Sequence, residues 1–430
     1  MAALLVVPLV LGWLSVGLDR HRGPLIALAL ITGLLAASFL VAAIVMSSRL
    51  RSLSKTFGTE AVLQFHRLVG LLTATLAVAH VVLVMWALHW PLHLLWPPTA
   101  PPKFQLATFS LVSILITTAL TLTRRRLKVR YGAWRALHGV LAVVAVGGLA
   151  LHVYWLHHLL KSVSFRYAAG LLLLLIAGVL LTRWVIRPLR TQRHSYLVEQ
   201  VSQVAPGVST IELMPTHPRH PGMRFRPGQF AWLRLTGPLG VFRDHPFSMA
   251  SSATDRRRLS FTIRHLGDFT ERVARLAPGQ RVYLDGPYGA FDGGGPEANG
   301  LLMIAWGVGI TPMMSILRTH AARHNARPHI LVMGARTEAE LLFRDEIAAM
   351  TDHLQLQVIE VVSHPGEDWT GRRGFIDVPL LRDVLAEYPD VRTTHAFVCG
   401  PPRMMDDVHA ALLALGVQER QVSTEGFELV

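Results

Sequence analysis

Two stretches, HRLVGLLTATLAVAH at residues 66–80 and HGVLAVVAVGGLALH at residues 138–152, are mostly apolar, and each begins and ends with a histidine. A separation of fourteen residues in an α-helix rotates the chain by about 1400°, within roughly 40° of four full turns, and advances it by about 21 Å. The two histidines of each stretch therefore point to one face of a helix, one near each side of a bilayer.

The matched spacing makes these four histidines candidate metal ligands. A lone histidine in a membrane span is usually a hydrogen-bonded interior residue, but two matched pairs favour a functional role, because ionisable groups inside a membrane are energetically expensive. Side-by-side packing of the two helices places His66 opposite His138 and His80 opposite His152. This geometry suits two stacked haems, each with two axial histidines.

The composition indicates a membrane protein with a sizeable soluble part. Of 430 residues, 51% are hydrophobic, and the mean hydropathy is +0.38. Apolar stretches long enough to cross roughly 30 Å of hydrocarbon lie at about 2–18, 24–46, 61–88, 104–122, 134–156 and 166–186. We interpret the first as a retained span, because it lacks the basic n-region and clear cleavage site of a signal peptide.

Basic residues predict the orientation of these spans. Eleven lie just after the second, fourth and sixth spans, whereas the loops after the first, third and fifth spans hold four. The positive-inside bias places the first set in the cytoplasm with both termini, in a plasma (inner) membrane. His66 and His138 then form the inner pair, and His80 and His152 the outer pair. Much of the net charge of +14 faces lipid headgroups and does not argue for a nucleic-acid partner.

The pattern of the chain changes twice beyond the last span. Short alternating strands with Gly and Pro between them predict a small antiparallel β-barrel at 191–292. Strands alternating with helices then predict an α/β domain with a parallel sheet at 293–430, whose ligand lies at the carboxyl ends of the strands. The predicted fold is therefore a membrane all-α six-helix bundle at 1–190 followed by these two domains.

Two candidate sites lie in the predicted barrel. In the stretch DHPFSMAS at 244–251, Phe247 can lie along an aromatic ring system, and the Ser248 hydroxyl can bond a ring nitrogen. Nearby, Arg264 and the turn from Gly267 to Thr270 offer a guanidinium group, backbone amides and a hydroxyl to a pyrophosphate. Each stretch is also compatible with an ordinary turn.

Two more candidate sites lie in the predicted α/β domain. The glycines of Gly307-Val308-Gly309 stand between a strand and a helix, where the backbone can approach a diphosphate. Cys399-Gly400-Pro401-Pro402 ends an apolar strand, where a small thiol and a glycine leave room for a flat ring. A buried structural cysteine is the alternative there. Cys399 is the single cysteine, so an intrachain disulfide is impossible.

In this order the residues resemble the ferredoxin-NADP reductase superfamily, and together with the membrane half they resemble the ferric reductase / NADPH oxidase family. The resemblance extends from about residue 24 to the end of the chain. One departure is Trp306, which stands where the family has a small residue. The resemblance implies flavin contact by His245, Pro246, Phe247 and Ser248, FAD diphosphate binding by Arg264, Gly267 and Thr270, nicotinamide-nucleotide binding by Gly307, Gly309, Thr311 and Pro312, nicotinamide contact by Cys399, Gly400 and Pro401, and an aromatic ring over the flavin from Phe427.

The resemblance also implies the activity. NAD(P)H delivers hydride to FAD, with Ser248, Cys399 and Phe427 as the catalytic residues, and electrons then pass singly through two b-type haems to an outer acceptor. Bis-histidine ligation leaves no open position on iron and favours an outer-sphere acceptor. Ferric chelate and oxygen are the family's main acceptors, and transfer to another protein is possible. Four histidines lie at the outer ends of the haem spans, where they can attract iron or copper: His89, His93, His157 and His158. We therefore favour metal reduction, with superoxide production as the second candidate.

Two further questions stay open in the sequence. Arg336 follows the second strand of the α/β domain, where it can meet a 2′-phosphate and favour NADPH, but Glu338 and Glu340 are close and leave NADH open. A membrane-tethered flavin reductase without haem is the alternative from another class. That alternative gives the matched histidines no use.

Overall fold

The computed structural model of the chain separates into two compact units. The first comprises Met1–Leu53 and Ala61–Ile186, and the second comprises Ser54–Glu60 and Arg187–Val430. The predicted span at 2–18 lies outside the residues that the structure describes. Those residues are 23–49, 53, 58–124, 126–129, 131–156, 163–193, 195–237, 244–294, 298–387 and 394–426.

Five helices in the described part of the chain are long and apolar enough to cross a membrane. They confirm five of the predicted spans. Proline stands in the first turn of the first and third of them, where its missing N–H group costs no hydrogen bond. The helices are α1 (Pro24–Ser47), α2 (Thr59–Ala87), α3 (Pro102–Thr123), α4 (Tyr131–Trp155) and α5 (Val163–Leu181).

Small residues allow α3 and α4 to pack closely. The Ser110 hydroxyl donates to the Ala145 carbonyl across the helix pair at 2.7 Å. A Cβ atom on Gly148 would lie 2.9 Å from the Leu106 carbonyl oxygen, so only glycine fits there without a shift. Close backbone approach and interhelical hydrogen bonds are the usual means of helix association in a membrane.

The larger segment of the second unit, from Arg187 onward, begins with a short helix, α6 (Arg187–Arg193), and continues as an antiparallel sheet. The six strands have the order β4-β3-β6-β1-β2-β5. The edge strands approach each other where the Ala250 N–H donates to the Ser260 carbonyl at 2.8 Å. The strands are β1 (Tyr196–Ala205), β2 (Val208–Pro215), β3 (Phe230–Arg234), β4 (His245–Ser248), β5 (Leu259–Arg264) and β6 (Arg281–Tyr288), with α7 (Asp268–Ala274) between the last two.

A six-stranded parallel sheet follows, with the order β10-β9-β8-β7-β11-β12. Hydrophobic clusters cover both of its faces, and its central strands are accordingly continuous apolar runs. The predicted parallel sheet is confirmed. Its elements are β7 (Leu301–Trp306), α8 (Ile310–Ala322), β8 (His329–Ala335), α9 (Arg344–Met350), β9 (Leu356–Val362), β10 (Arg372–Arg373), α10 (Val378–Glu387), β11 (His395–Cys399), α11 (Pro402–Ala414) and β12 (Val422–Thr424).

Candidate functional site

The structure brings the predicted histidines together in two tiers between α2 and α4. The ring centroids of His66 and His138 are 6.1 Å apart. Imidazole–metal bonds of about 2.0 Å put two nitrogens about 4 Å apart across one metal, so the ring centroids of a bis-imidazole site lie a little farther apart than that. The observed separation fits such a site. His80 and His152 lie on the same two helices, each fourteen residues beyond its partner in the first tier, and form the second tier.

Backbone carbonyls orient three of these four imidazole rings. The Nδ1 atoms of His66, His80 and His152 lie 3.0, 2.7 and 2.8 Å from the carbonyl oxygens of Ala43, Ala29 and Lys103. A carbonyl only accepts hydrogen bonds, so Nδ1 carries the proton and Nε2 holds the lone pair. Metal-ligating histidines in proteins are commonly held in this way.

The two carbonyls on α1 have the same spacing as the histidines they hold. Ala29 and Ala43 are fourteen residues apart, like His80 and His66 on the antiparallel helix α2. Gly33 makes the outer contact possible, because a Cβ atom there would lie 2.6 Å from Nδ1 of His80. The chain therefore leaves a gap in α1 for the His80 ring.

His138 differs from the other three histidines. Its Nδ1 atom is buried without a hydrogen-bond partner among the residues that the structure describes, and its ring centroid lies 5.3 Å from that of Trp134. Within the same residues, no group of three His, Cys, Asp or Glu side chains could hold a metal ion. Each tier thus supplies two imidazole nitrogens, which is the donor set of a bis-histidine haem.

The predicted flavin segment forms β4, an edge strand paired with β3. Pro246 is tolerated there because an edge strand has one side free of ladder hydrogen bonds. The Phe247 ring is nearly parallel to that of Phe269 on α7, with centroids 6.1 Å apart, and the His245 ring lies 4.1 Å from Phe269. The Ser248 hydroxyl oxygen is buried without a hydrogen-bond partner in the described structure. Such a group is a natural donor to a bound ligand.

The predicted diphosphate turn lies beside β4 through Phe269, but its hydroxyl is already engaged. The Thr270 oxygen accepts from the N–H groups of Leu266 and Gly267 at 2.8 and 3.1 Å and donates to the Gly267 carbonyl at 2.9 Å. This network closes the first turn of α7. Arg264 is exposed at the end of β5 and remains the candidate cation for a diphosphate.

The two motifs of the α/β domain lie against each other. Gly307, with φ +56°, and Gly309 form a single 3₁₀ turn between β7 and α8. A Cβ atom on Gly309 would collide with the carbonyl group of Cys399 and would lie 3.1 Å from the Gly400 nitrogen. Gly309 is thus required by close backbone packing, and Cys399 is buried at the end of β11.

Thr311 and Pro312 are buried at the start of α8. The Thr311 hydroxyl donates to the Val308 carbonyl at 2.7 Å and so stabilises the turn from within. Arg336 is exposed just after β8, at the carboxyl edge of the sheet. Pro401 precedes α11, next to Gly400. The predicted residue Phe427 lies outside the described part of the chain.

Three known protein families match successive parts of this chain. They are described as "Ferric reductase like transmembrane component" at residues 32–149, "FAD-binding domain" at 198–292 and "Oxidoreductase NAD-binding domain" at 303–410. This is the domain order of one family of membrane oxidoreductases. The chain belongs to the ferric reductase / NADPH oxidase family. The family predicted from the sequence is therefore confirmed, and the protein is a multi-pass NAD(P)H oxidoreductase with FAD- and NAD-binding domains.

Relatives of known identity match about half of this family member. It is 34% identical over 214 residues to ferredoxin–NADP reductase B of Sorangium cellulosum, covering 47% of this chain and 86% of that protein. It is 29% identical over 234 residues to the propane 2-monooxygenase reductase component of Mycolicibacterium smegmatis, covering 53% and 66%. The structure of an Amycolatopsis cytochrome P450 reductase superposes with a TM-score of 0.47 at 25% identity over 54% of this chain and 69% of that one.

The family resemblance makes Trp306 an unusual residue, and the structure shows what it contacts. Its indole lies over Gly334 at the end of β8, where a Cβ atom would collide with the ring. It also stacks on Phe375, with centroids 5.7 Å apart and planes 20° from parallel. This aromatic pair covers the carboxyl edge of the parallel sheet beside Arg336, where α/β folds bind dinucleotides.

Sequence reasoning missed several residues around these ferric reductase-like sites. Gly33 is one of several glycines in the apolar spans, and the sequence around it does not indicate that it packs against His80. Glu425 is buried, and its Oε1 atom accepts from the Ala290 N–H at 2.6 Å. An acidic residue two positions before Phe427 was a signal from which this buried contact could have been predicted. Arg318 on α8 reaches the Ala250 carbonyl at 2.8 Å, a contact across 68 residues that has no sequence signature.

Proposed function

We propose that this protein passes electrons from cytoplasmic NAD(P)H, through FAD and two bis-histidine b-type haems, to an acceptor on the outer face of the plasma (inner) membrane. The haem-binding bundle, the FAD-binding barrel and the NAD(P)-binding domain then correspond to 1–190, 191–292 and 293–430. The observation that carries the proposal is the fixed tautomer of His66, His80 and His152, whose Nε2 lone pairs are left for iron.

The chain's own residues supply binding and orientation. When bound, FAD converts a two-electron hydride into single electrons, and haem iron carries them one at a time. Ser248, whose hydroxyl is buried on β4, would offer it to a flavin ring nitrogen, and Phe247 on the same strand would lie along the ring system. Cys399 and Gly400 would face the nicotinamide beside the Gly307–Gly309 turn, where the backbone of Gly309 packs closely against that of Cys399.

The acceptor we favour is a ferric chelate or another oxidised metal complex. The paired histidines would hold each haem iron through two imidazoles, so the haem would supply electrons to an acceptor that does not bind the iron itself. His89 and His93 lie at the outer end of α2 and in the following loop, where imidazoles attract iron or copper. Oxygen as acceptor would yield superoxide and is the second candidate for the same relay.

The deciding experiment is a reduced-minus-oxidised absorbance spectrum of the purified chain with FAD, after adding NADPH without oxygen. The proposal expects low-spin b-type bands at about two haems per chain. His80→Ala should halve the haem content and spare NADPH oxidation by an acceptor that draws electrons from flavin. An unchanged haem content in this variant would refute the ligand assignment. Flavin bleaching without any haem signal would favour the haem-free tethered flavin reductase.

Oxidant competition then separates the two acceptors. Haem reduced by NADPH is mixed with ferric citrate or with oxygen, and the reoxidation rates are compared under otherwise equal conditions. Faster reoxidation by ferric citrate supports metal reduction. Faster reoxidation by oxygen, with superoxide detected, supports the oxidase.

A further inference from the structure

One face of α8 is bonded to the segment that directly follows the predicted flavin strand. The Ser315 hydroxyl donates to the Ser251 carbonyl at 2.8 Å, and the Thr319 hydroxyl accepts from the Ala253 N–H at 2.9 Å. Arg318 lies between them on the helix, at the spacing that puts three side chains on one face. Three consecutive contacts therefore fix the segment Ala250–Ala253 to one helix.

Arg318 makes the strongest of these contacts and is itself held in place. Its Nη1 atom donates to the Ala250 carbonyl at 2.8 Å, while Nε and Nη2 donate to both carboxylate oxygens of Glu346 at 2.7 and 2.6 Å. Its guanidinium carbon lies 5.2 Å from the ring centroid of Phe343, which has a left-handed backbone with φ +63°. A bidentate pair of this kind restricts the planar guanidinium to one orientation.

The two ends of these contacts each lie a few residues in sequence from a predicted site. α8 starts directly after Gly309 of the nucleotide turn, and Ala250 stands two residues after Ser248 of the flavin strand. Hydride transfer requires the reacting atoms to approach within about 3–3.5 Å, and a misplacement of about 1 Å can cost about a hundredfold in rate. A rigid connection between the two segments therefore has a direct kinetic consequence.

We propose that Arg318, oriented by Glu346, is a positioning residue that sets the nicotinamide site against the flavin site. The proposal rests on the proposed function, because it takes β4 as the flavin strand and Gly307–Gly309 as the nucleotide turn. Arg318 does not touch the reacting atoms. It acts through the Ala250 carbonyl and thus through the backbone that carries Ser248.

The experiment measures flavin reduction by NADPH in the full-length purified protein, by stopped flow without oxygen. Arg318→Gln and Glu346→Gln should each slow flavin reduction about tenfold to a hundredfold, with the FAD content and the NADPH concentration for half-maximal rate unchanged. The primary deuterium isotope effect with 4-deuterated NADPH should rise, because hydride transfer becomes more rate-limiting. Arg318→Lys keeps the positive charge but cannot form the bidentate pair with Glu346. Its flavin reduction rate should therefore lie between those of Arg318→Gln and the unmodified protein.

Arg344 and Glu360 offer a matched control in the same domain. They form a second bidentate pair, with both donor–acceptor distances 2.7 Å, and Arg344 belongs to α9. Arg344→Gln should leave the flavin reduction rate and its isotope effect unchanged.

Three outcomes would overturn the proposal. One is an unchanged rate in both Arg318→Gln and Glu346→Gln, and another is an equal loss of rate in Arg344→Gln. The third is a loss of bound FAD that accounts for the whole decrease, which would make the role merely structural. If the unmodified protein shows no flavin reduction by NADPH or by NADH, the proposed function fails instead, and the two failures are thereby told apart.

Discussion

Arg336 is the residue whose substitution most directly tests whether the protein prefers NADPH or NADH. It is exposed at the end of β8, and none of the ion pairs among the described residues includes it. A guanidinium there is available to a 2′-phosphate, and charge-assisted bonds of this type are worth about 1.5–3 kcal/mol.

Arg336→Ala should therefore weaken NADPH binding about tenfold or more and leave NADH binding almost unchanged. Steady-state KM values for the two coenzymes, measured with ferricyanide as acceptor, test this prediction. An equal change for both coenzymes would show that Arg336 does not distinguish them.

At the residue scale, the histidine spacing predicted which rings share a helix face, whereas the hydrogen bonds of a hydroxyl depend on local geometry. The fourteen-residue spacing places each pair on one face because helix geometry is regular. The Thr270 hydroxyl was expected to face a pyrophosphate, yet it closes its own turn. Short polar side chains compete for nearby backbone groups, and the winner depends on local torsion angles that sequence does not specify.

Among the elements, α1 contributes no histidine to the predicted haem sites, but its backbone carbonyls hold two of the four histidine rings. Gly33→Ala should push the His80 ring away from the Ala29 carbonyl, because the added Cβ atom would lie 2.6 Å from its Nδ1. We expect the outer haem to be lost or weakened, with the inner haem retained. Haem content per chain and the redox titration of the two centres test this expectation.

Gly178→Ala is the control for that substitution. Gly178 lies on α5, and a Cβ atom there would meet nothing within 4 Å. This variant should keep both haems. Loss of haem in both variants would indicate a general effect of replacing glycine in the bundle.

Trp306, at the end of β7, gives a second test at the level of the secondary-structure elements. The Trp306 indole stacks on Phe375 over the edge where a dinucleotide is expected. An aromatic pair is worth about 0.5–1.5 kcal/mol beyond its buried area, and binding must disrupt it if the nucleotide takes that space. Trp306→Ala should then lower the NADPH dissociation constant by up to about tenfold, as measured by titration of the oxidised protein. Weaker binding would mean that the indole itself supports the nucleotide.

For the molecule as a whole, two buried histidines predict a dependence of stability on pH. Nδ1 of His320 and Nε2 of His329 are 2.7 Å apart in the α/β domain. Burial lowers the pKa of each to about 4, and the His329 charge adds to the effect on His320. The unfolded chain protonates both near pH 6.5, so between about pH 6.5 and 4 it binds protons that the folded domain excludes.

The free energy of unfolding of this domain should therefore fall as the pH falls through that window. Thermal release of FAD, followed by flavin fluorescence at several pH values from 7.5 to about 4.5, measures the trend. His329→Leu should flatten the profile. A release temperature that does not change with pH would contradict the prediction.

The order of the three parts was predictable because hydropathy and periodicity change sharply where one part gives way to the next. The contact of α8 with the segment after β4 was not, because it joins residues 64 to 68 positions apart through backbone carbonyls. Any side-chain donor can use a carbonyl, so such a bond leaves no pattern of residue types. The same reasoning applies to His66 and His80 against α1.

That last arrangement has a consequence for how freely this protein can diverge or be redesigned. The partners of His66 and His80 on α1 are main-chain oxygens at Ala43 and Ala29, which every amino acid provides. The lipid-facing residues of α1 can therefore be replaced by other apolar residues without changing the orientation of the two histidine rings, provided that position 33 remains glycine. Mutational tolerance along α1 should be broad, with one sharp minimum.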